Sequence, residues 1–162
     1  MAKRTFDLVF SIAGLIVFAP LLLVVGMLIL ATLGRPMLYS PQRAGRGNKL
    51  FTLRKFRSMR IAPGPTSHHS GDDDPRVTTV GKWVRKFKFD ELPQLWNVAR
   101  GDMSFVGPRP ETPDYIQHYT AEQLPILDLR PGITDFASIE FADLGELLKG
   151  DDPDKLYFET VW

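Results

Sequence analysis

Asp90 and Glu91 are adjacent carboxylates inside the stretch Trp83–Glu111, WVRKFKFDELPQLWNVARGDMSFVGPRPE, with Arg85 shortly before them and Arg109 after. A carboxylate can act as a nucleophile at phosphorus, and a second one beside it can hold a divalent ion against the same phosphate. The residues behind the pair predict a helix, with Asp90 as its N-cap, Glu91 at the first helical position and Pro93 in the first turn, where a missing N–H costs little. Leu92, Leu95, Trp96 and Ala99 recur at i, i+3, i+4 and i+7 as one buried face, and Arg100 with Gly101 supplies the stop. In a helix interior neighbouring side chains diverge by about 100° and are poorly placed to share a ligand. At the N-terminus, free N–H groups and the positive dipole end gather anions, which suits phosphate chemistry. Acidic residues also favour that position for structural reasons alone, so type and spacing leave catalysis and ordinary capping both open.

The rest of the chain must position this pair. Its 162 residues suffice for one compact domain plus a membrane element, and its formal net charge of +1 hides a segregation. Leu8 to Gly34 carries no charge, Arg35 to Lys88 is strongly basic, and Glu140 to Glu159 is mostly acidic. The absence of cysteine excludes a disulfide framework and thiolate chemistry. The uncharged run exceeds the roughly 20 residues that span a bilayer core, and it is longer than the apolar region of a signal peptide. Pro20 removes a backbone donor within it, which predicts two shorter helices with a kink near Ala19-Pro20. Lys3 and Arg4 precede the run and Arg35, Arg43, Arg46 and Lys49 follow it, and basic flanks favour the cytoplasmic side. A hairpin entering and leaving one leaflet satisfies both flanks; a kinked spanning helix is the competing reading.

Leu38–Ser40 and Leu50–Leu53 predict a β-hairpin around the polar turn Arg43–Asn48. Lys55 and Arg57 then alternate with apolar residues, on one face of an extended strand that could steer an anion; a solvated basic edge or attraction to anionic lipid is the plainer account. Residues 62–75 read as a loop, where His68, His69 and Asp72–Asp74 lack the fixed geometry of a metal site. Val80–Phe87 reads as a helix that would bring Arg85 to a phosphate if the chain bends at Phe87–Phe89. Met103–Val106 reads as a strand, and Gly107-Pro108-Arg109-Pro110 as a stiff turn that reduces the entropy lost when Arg109 grips a phosphate. Pro113–His118 and Ala121–Leu127 predict helices, with Tyr115, Ile116, Tyr119, Leu124 and Ile126 available for a membrane-surface face. Phe141–Trp162 is acidic and helical in pattern.

Phe89-Asp90-Glu91-Leu92-Pro93-Gln94-Leu95, Asn97-Val98, Gly101-Asp102-Met103-Ser104, Val106-Gly107-Pro108-Arg109-Pro110 and Arg130-Pro131-Gly132-Ile133-Thr134 resemble the bacterial sugar transferases, the monotopic phosphoglycosyl transferases. The likeness extends to Arg4–Asp7, Gln42-Arg43, Gly45, Gly47, Lys55-Phe56-Arg57-Ser58-Met59 and Asp74-Pro75-Arg76. It departs at Ala19, where many members have serine, at Lys86-Phe87-Lys88-Phe89, at Asp135-Phe136-Ala137-Ser138, and in a C-terminus that ends where members continue. The resemblance implies an α+β fold, with a re-entrant membrane helix over residues 1–36 and a catalytic domain over 37–162. That domain would hold surface amphipathic helices and a small antiparallel sheet. It implies transfer of a sugar 1-phosphate from a nucleotide diphosphate sugar, a UDP-sugar, to polyprenyl phosphate at the cytoplasmic face of the bacterial inner membrane. Asp90 would be the nucleophile, Glu91 would hold Mg²⁺, and Lys55, Arg85, Arg109, Arg76 and Arg130 would bind phosphates. The lipid bilayer is an expected partner and nucleic acid is not. The competing classes are a non-catalytic module binding anionic lipid or nucleotide, and a membrane-bound phosphohydrolase using water as acceptor.

Overall fold

The computed structural model describes residues 2–61, 74–140, 147–149 and 152–160. The chain opens with two helices, α1 (Ala2–Val17) and α2 (Ala19–Leu33), bent by 61° at Phe18. The expected break is present, and its cause is local. Pro20 sits at the start of α2 and has no N–H to return to the preceding turn, while Phe18 N–H still reaches the Gly14 carbonyl and Leu22 N–H the Phe18 carbonyl, each at 2.8 Å. Among the described residues no single helix is long and apolar enough to cross a membrane, and this bent pair passes that test only together.

Both polar ends of the pair are tied to the same body. Lys3 donates to the Val106 carbonyl at 2.8 Å, and the Arg4 guanidinium donates to the carbonyls of Val98 and Ala99 at 2.6 Å each. Asp7 is buried and accepts from Ser104 Oγ at 2.9 Å and from the Phe105 N–H at 3.3 Å. At the far end Arg57 donates to the Leu33 carbonyl at 2.6 Å, to Gly34 at 2.7 Å and to Arg35 at 3.3 Å. A cation on the open carbonyls of a helix C-terminus is worth about 0.3–1 kcal/mol when exposed and up to about 2 when partly buried. This corrects the expectation that Arg57 shares an anion-facing surface with Lys55. The paired strand covers only Lys55–Phe56, and the chain beyond it turns the Arg57 side chain inward onto α2.

The hairpin forms with shifted arms. Strand β1 (Leu38–Tyr39) pairs antiparallel with β4 (Lys55–Phe56), in the register Leu38 to Phe56 and Tyr39 to Lys55. Strand β2 (Gln42–Ala44) pairs with β3 (Leu50–Thr52), Arg43 opposite Phe51. Arg43 and Ala44 therefore belong to a strand rather than to the turn, which contracts to Gly45–Asn48 because Gly47 and Asn48 both take positive φ, 66° and 57°. Helix α3 (Thr79–Lys86) matches the expected helix to within a residue, its N-cap Thr78 Oγ1 accepting from the Gly81 N–H at 3.0 Å. Helix α4 (Gln94–Arg100) follows, then β5 (Ser104–Val106), which pairs in parallel with β6 (Gly132–Thr134). Gly107 and Gly132 lie against each other's backbones so closely that a Cβ on either would overlap main-chain atoms, and this contact locks the Gly107–Pro110 turn to the Arg130–Thr134 block.

Three small cores result. Val25, Ile29, Phe56 and Val84 join α2, β4 and α3; Phe51, Leu53, Val98 and Met103 join the hairpin to α4; Tyr115, Leu148 and Tyr157 join α5 (Pro113–Ile116) to the acidic tail. The described helices with three two-stranded sheets are compatible with the expected α+β class. Tyr115 is thus core and not part of a membrane-facing surface, being stacked 6.2 Å from Tyr157, whereas Leu124 and Ile126 are exposed on a 3₁₀ turn, Leu124–Asp128. Past β6 come α6 (Phe136–Glu140) and α7 (Pro153–Thr160), the latter within the expected helical tail. Residues 62–73, including His68 and His69, lie outside the described residues.

Candidate active site

Asp90 lies in a 3₁₀ turn, Phe89–Glu91, between α3 and α4, and is not the N-cap of a helix. The Glu91 N–H returns to the Lys88 carbonyl at 3.1 Å and the Leu92 N–H to Phe89 at 3.3 Å, so the chain is wound three residues per turn here. Pro93 cannot donate back to Phe89, and α4 starts only at Gln94 with no side-chain cap. Released from capping, the Asp90 side chain is 6 % exposed, and its Oδ1 has no hydrogen-bond partner. An unsatisfied buried acceptor costs about 1–3 kcal/mol, more when charged.

The buried arc of α4 also differs from the expected one. Gln94, Leu95, Asn97 and Val98 are buried, while Trp96 is exposed. Packing on both sides of the helix explains this: Leu95 meets Gly14 of α1, and Asn97 faces the hairpin, where its Nδ2 donates to the Thr52 carbonyl at 2.8 Å and its Oδ1 accepts from the Arg54 N–H at 2.9 Å.

Electrostatics bring the sequence-predicted residues together unevenly. Strand β4 delivers Lys55 to Asp90 and Glu91. Burial pushes the Lys55 ammonium down from its ordinary value, and the charges of Asp90 and Glu91 oppose that. Burial pushes the Asp90 carboxyl up, with Lys55 and Arg85 pulling it back and Glu91 adding to the rise. Burial is thus the larger effect on Asp90 and acts against the cations around it. Arg85 reaches this group because Lys88 takes the left-handed conformation, φ 56°, and bends the chain between α3 and the 3₁₀ turn. Arg109 and Arg43 push Lys55 further down. The Arg109 N–H is fixed by Asp135 Oδ2 at 3.1 Å. Arg109 also lines a small cleft with Glu111, Tyr119 and Pro131.

The other two predicted phosphate binders are placed by different contacts. Arg76 pairs with Asp74, Nη2 to Oδ2 at 2.6 Å and Nε to both oxygens at 3.0 and 3.1 Å, which holds the Asp74 carboxyl below its usual range. The Arg130 carbonyl abuts Gly107, two residues before Arg109, and its neighbours Leu129 and Pro131 line the cleft with Arg109. Arg43 enters the sequence reading as a basic flank, as the start of the polar turn and in the Gln42-Arg43 family match, without a role in the site. It is buried enough for its guanidinium to be pushed down, first by burial and then by Arg109, with Glu111 opposing. The Gln42-Arg43 family match was the available signal.

Among the described residues no group of three or more His, Cys, Asp or Glu side chains could hold a metal alone. Mg²⁺ is commonly held by one or two carboxylates together with substrate phosphates and water. The partnerless Asp90 Oδ1 beside Glu91 fits that mode.

A family model described as bacterial sugar transferase matches residues 1–159. The chain is 41 % identical over 121 residues to a putative undecaprenyl-phosphate N-acetylgalactosaminyl 1-phosphate transferase of Bacillus subtilis (strain 168), covering 74 % of this chain and 68 % of that protein. It is 38 % identical over 164 residues to an undecaprenyl-phosphate glucose phosphotransferase of Komagataeibacter xylinus, covering 94 % of this chain and 30 % of that one. With an undecaprenyl-phosphate galactose phosphotransferase of Salmonella typhimurium the identity is 40 % over 148 residues, 82 % of this chain and 31 % of the relative. The chain thus spans less than a third of the length of the last two.

Proposed function

The chain belongs to the bacterial sugar transferase family, and from that premise we propose that it transfers a sugar 1-phosphate from a nucleotide diphosphate sugar to polyprenyl phosphate, initiating membrane glycoconjugate assembly. The names of the relatives support this acceptor, and that of a relative from Aeromonas hydrophila includes a UDP-sugar; a UDP-sugar is the donor we assign. The observation that carries the reading is the buried Asp90 carboxylate with a partnerless oxygen, flanked by Lys55, Glu91 and Arg85.

In the proposed sequence an Asp90 oxygen attacks the phosphorus bonded to the sugar, and the bond to the nucleoside monophosphate breaks. The resulting aspartyl phosphosugar is displaced by a phosphate oxygen of the lipid, which regenerates the carboxylate. Lys55 and Arg85 lower the repulsion between an anionic nucleophile and an anionic centre, and Arg109 with Arg43 holds the donor's phosphates. Glu91, with Asp90 Oδ1 adjacent, would hold Mg²⁺, which supplies charge neutralisation at the phosphates when bound.

We assign residues 1–36 to a re-entrant membrane element and 37–162 to the catalytic part on the cytoplasmic face of the inner membrane. What supports this is that Arg4 and Asp7 at one end of the bent pair, and Arg57 at the other, grip the same body. The test of the chemistry is intact mass after incubation with UDP-sugars and Mg²⁺ without lipid: one sugar phosphate should add, and Asp90→Asn should abolish the adduct. An adduct that persists in Asp90→Asn sinks the assignment and makes Glu91 the residue to test.

A further inference from the structure

Three aromatic rings crowd together on the surface immediately before Asp90. Trp83 lies 5.2 Å from Phe87 and 5.3 Å from Phe89, both edge-on, and Phe87 stacks on Phe89 at 5.6 Å. Rings gathered for stability alone would be covered, yet Trp83 is 47 % and Phe87 50 % exposed. Lys82, Lys86 and Lys88 stand exposed around them. The left-handed Lys88 folds Phe89 back onto the other two rings, and the next residue, Asp90, points inward toward Lys55.

The position of the cluster relative to the helix pair is informative. Val84 packs with Val25 and Ile29 of α2, and Phe89 packs against that same core. At 1.5 Å per residue those positions lie about 12 and 6 Å along α2 from Leu33. The rings therefore stand level with the apolar shaft, whose outward residues Leu23, Val24, Met27 and Leu28 are exposed. Apolar surface runs from the shaft to the residue beside Asp90. Charged groups also gather at the site: Asp90, Glu91, Arg109 and Arg43 all act on Lys55.

We propose that Trp83, Phe87 and Phe89 are the docking surface for the hydrocarbon chain of the acceptor lipid, and that the charged groups around Lys55 receive the nucleotide sugar. This rests on the reading of Asp90 as nucleophile. An isoprenyl phosphate joins its attacking phosphate directly to hydrocarbon, so it needs apolar surface about one phosphate and one ester linkage from the phosphorus it attacks, and the Trp83–Phe87–Phe89 cluster supplies such surface beside Asp90. The flat alkene units of the chain match ring faces, and the surrounding lysines complement the acceptor's phosphate and the anionic leaflet.

The experiment uses the full chain in nanodiscs of fixed phosphatidylcholine and phosphatidylglycerol content, with a long polyprenyl phosphate and a short geranyl phosphate as acceptors. In Trp83→Ala and Phe87→Ala the KM for the long acceptor should rise about tenfold with kcat little changed, as expected for loss of one ring's apolar contact. The KM for the short acceptor should move far less, and Trp83→Phe should restore most of the long-chain KM. An unchanged long-chain KM, or equal rises for both acceptors, overturns the docking surface. So does a rise fully explained by loss of flotation with anionic vesicles, which would assign the rings to the bilayer. Failure of the wild-type protein to form the phosphosugar adduct instead overturns the Asp90 reading and this surface with it.

Discussion

Asp7 and Asp90 are both buried carboxylates, and the contrast between them separates what holds this molecule together from what it does. Asp7, in α1, has a hydroxyl and a backbone N–H directed at it. Asp90, in a 3₁₀ turn, has an oxygen with no partner and cations held nearby. Arg57 and Arg109 form a parallel pair. Arg57 spends its two terminal nitrogens on the helix-end carbonyls of Leu33 to Arg35, while Arg109 is held by its backbone N–H to Asp135 and lines a small cleft. Asp7 and the terminal nitrogens of Arg57 are satisfied from within the chain, whereas Asp90 Oδ1 is positioned by the chain and left for something else to satisfy.

The sharpest way to break the comparison is to remove each carboxylate's charge. Asp90→Asn should lower turnover by at least about 10³-fold, since a nucleophile cannot be supplied by its neighbours, with little loss of stability because no internal hydrogen bond to Oδ1 is broken. Asp7→Asn should do the reverse, costing about 1.5–3 kcal/mol in chemical denaturation, the worth of hydrogen bonds to a charged group. If Asp7→Asn abolishes the phosphosugar adduct in protein that remains folded, the division is wrong. Arg57→Ala should destabilise by about 2–3 kcal/mol through the uncapped α2 end, and Arg57→Lys should recover only part of that, because an ammonium cannot span three carbonyls as a guanidinium does. Full recovery by lysine would show that charge alone matters there.

A smaller effect sharpens the electrostatics. Burial raises the Asp90 pKa, so adduct formation should rise with pH along a limb displaced above the ordinary carboxylate range. Lys55→Met should move that limb further up and Glu91→Gln should move it down, read from pH–rate profiles of adduct formation; a limb that both variants leave in place would detach the titration from Asp90. The linkage has a definite sign. A folded pKa above the unfolded one favours the protonated form, so Asp90's contribution to stability is fully present below the unfolded pKa and lost as pH rises through the folded one. Asp90→Asn should therefore flatten the pH dependence of stability over that interval.

The smallest expected change concerns topology, where both ends of the helix pair grip one body. Single cysteines at Ala2 and at Ser40, in a chain without native cysteine, should react with an impermeant thiol reagent from the same, cytoplasmic, side. Reaction from opposite faces would end the re-entrant reading. Pro20→Ala should shift only a fraction of molecules toward spanning, since Arg4, Asp7 and Arg57 still hold both ends.

What the sequence determined by itself is what depends on neighbours along the chain. Pro20 lacks a donor wherever the helix is placed, so the break between α1 and α2 could be foreseen, and so could α3, the hairpin, the strand before Gly107 and the family-wide order of motifs. The tertiary structure decided the questions that turn on a partner far away in sequence. It took Arg57 from the anion-facing strand and placed it on the end of α2, covered Tyr115 with Tyr157, exposed Trp96, and brought Arg43 across the hairpin toward Arg109 and Lys55. It also turned Asp90 from an expected cap into a buried carboxylate. Periodicity and missing donors are local properties of the backbone, whereas burial and charge compensation are sums over residues that only folding brings within reach.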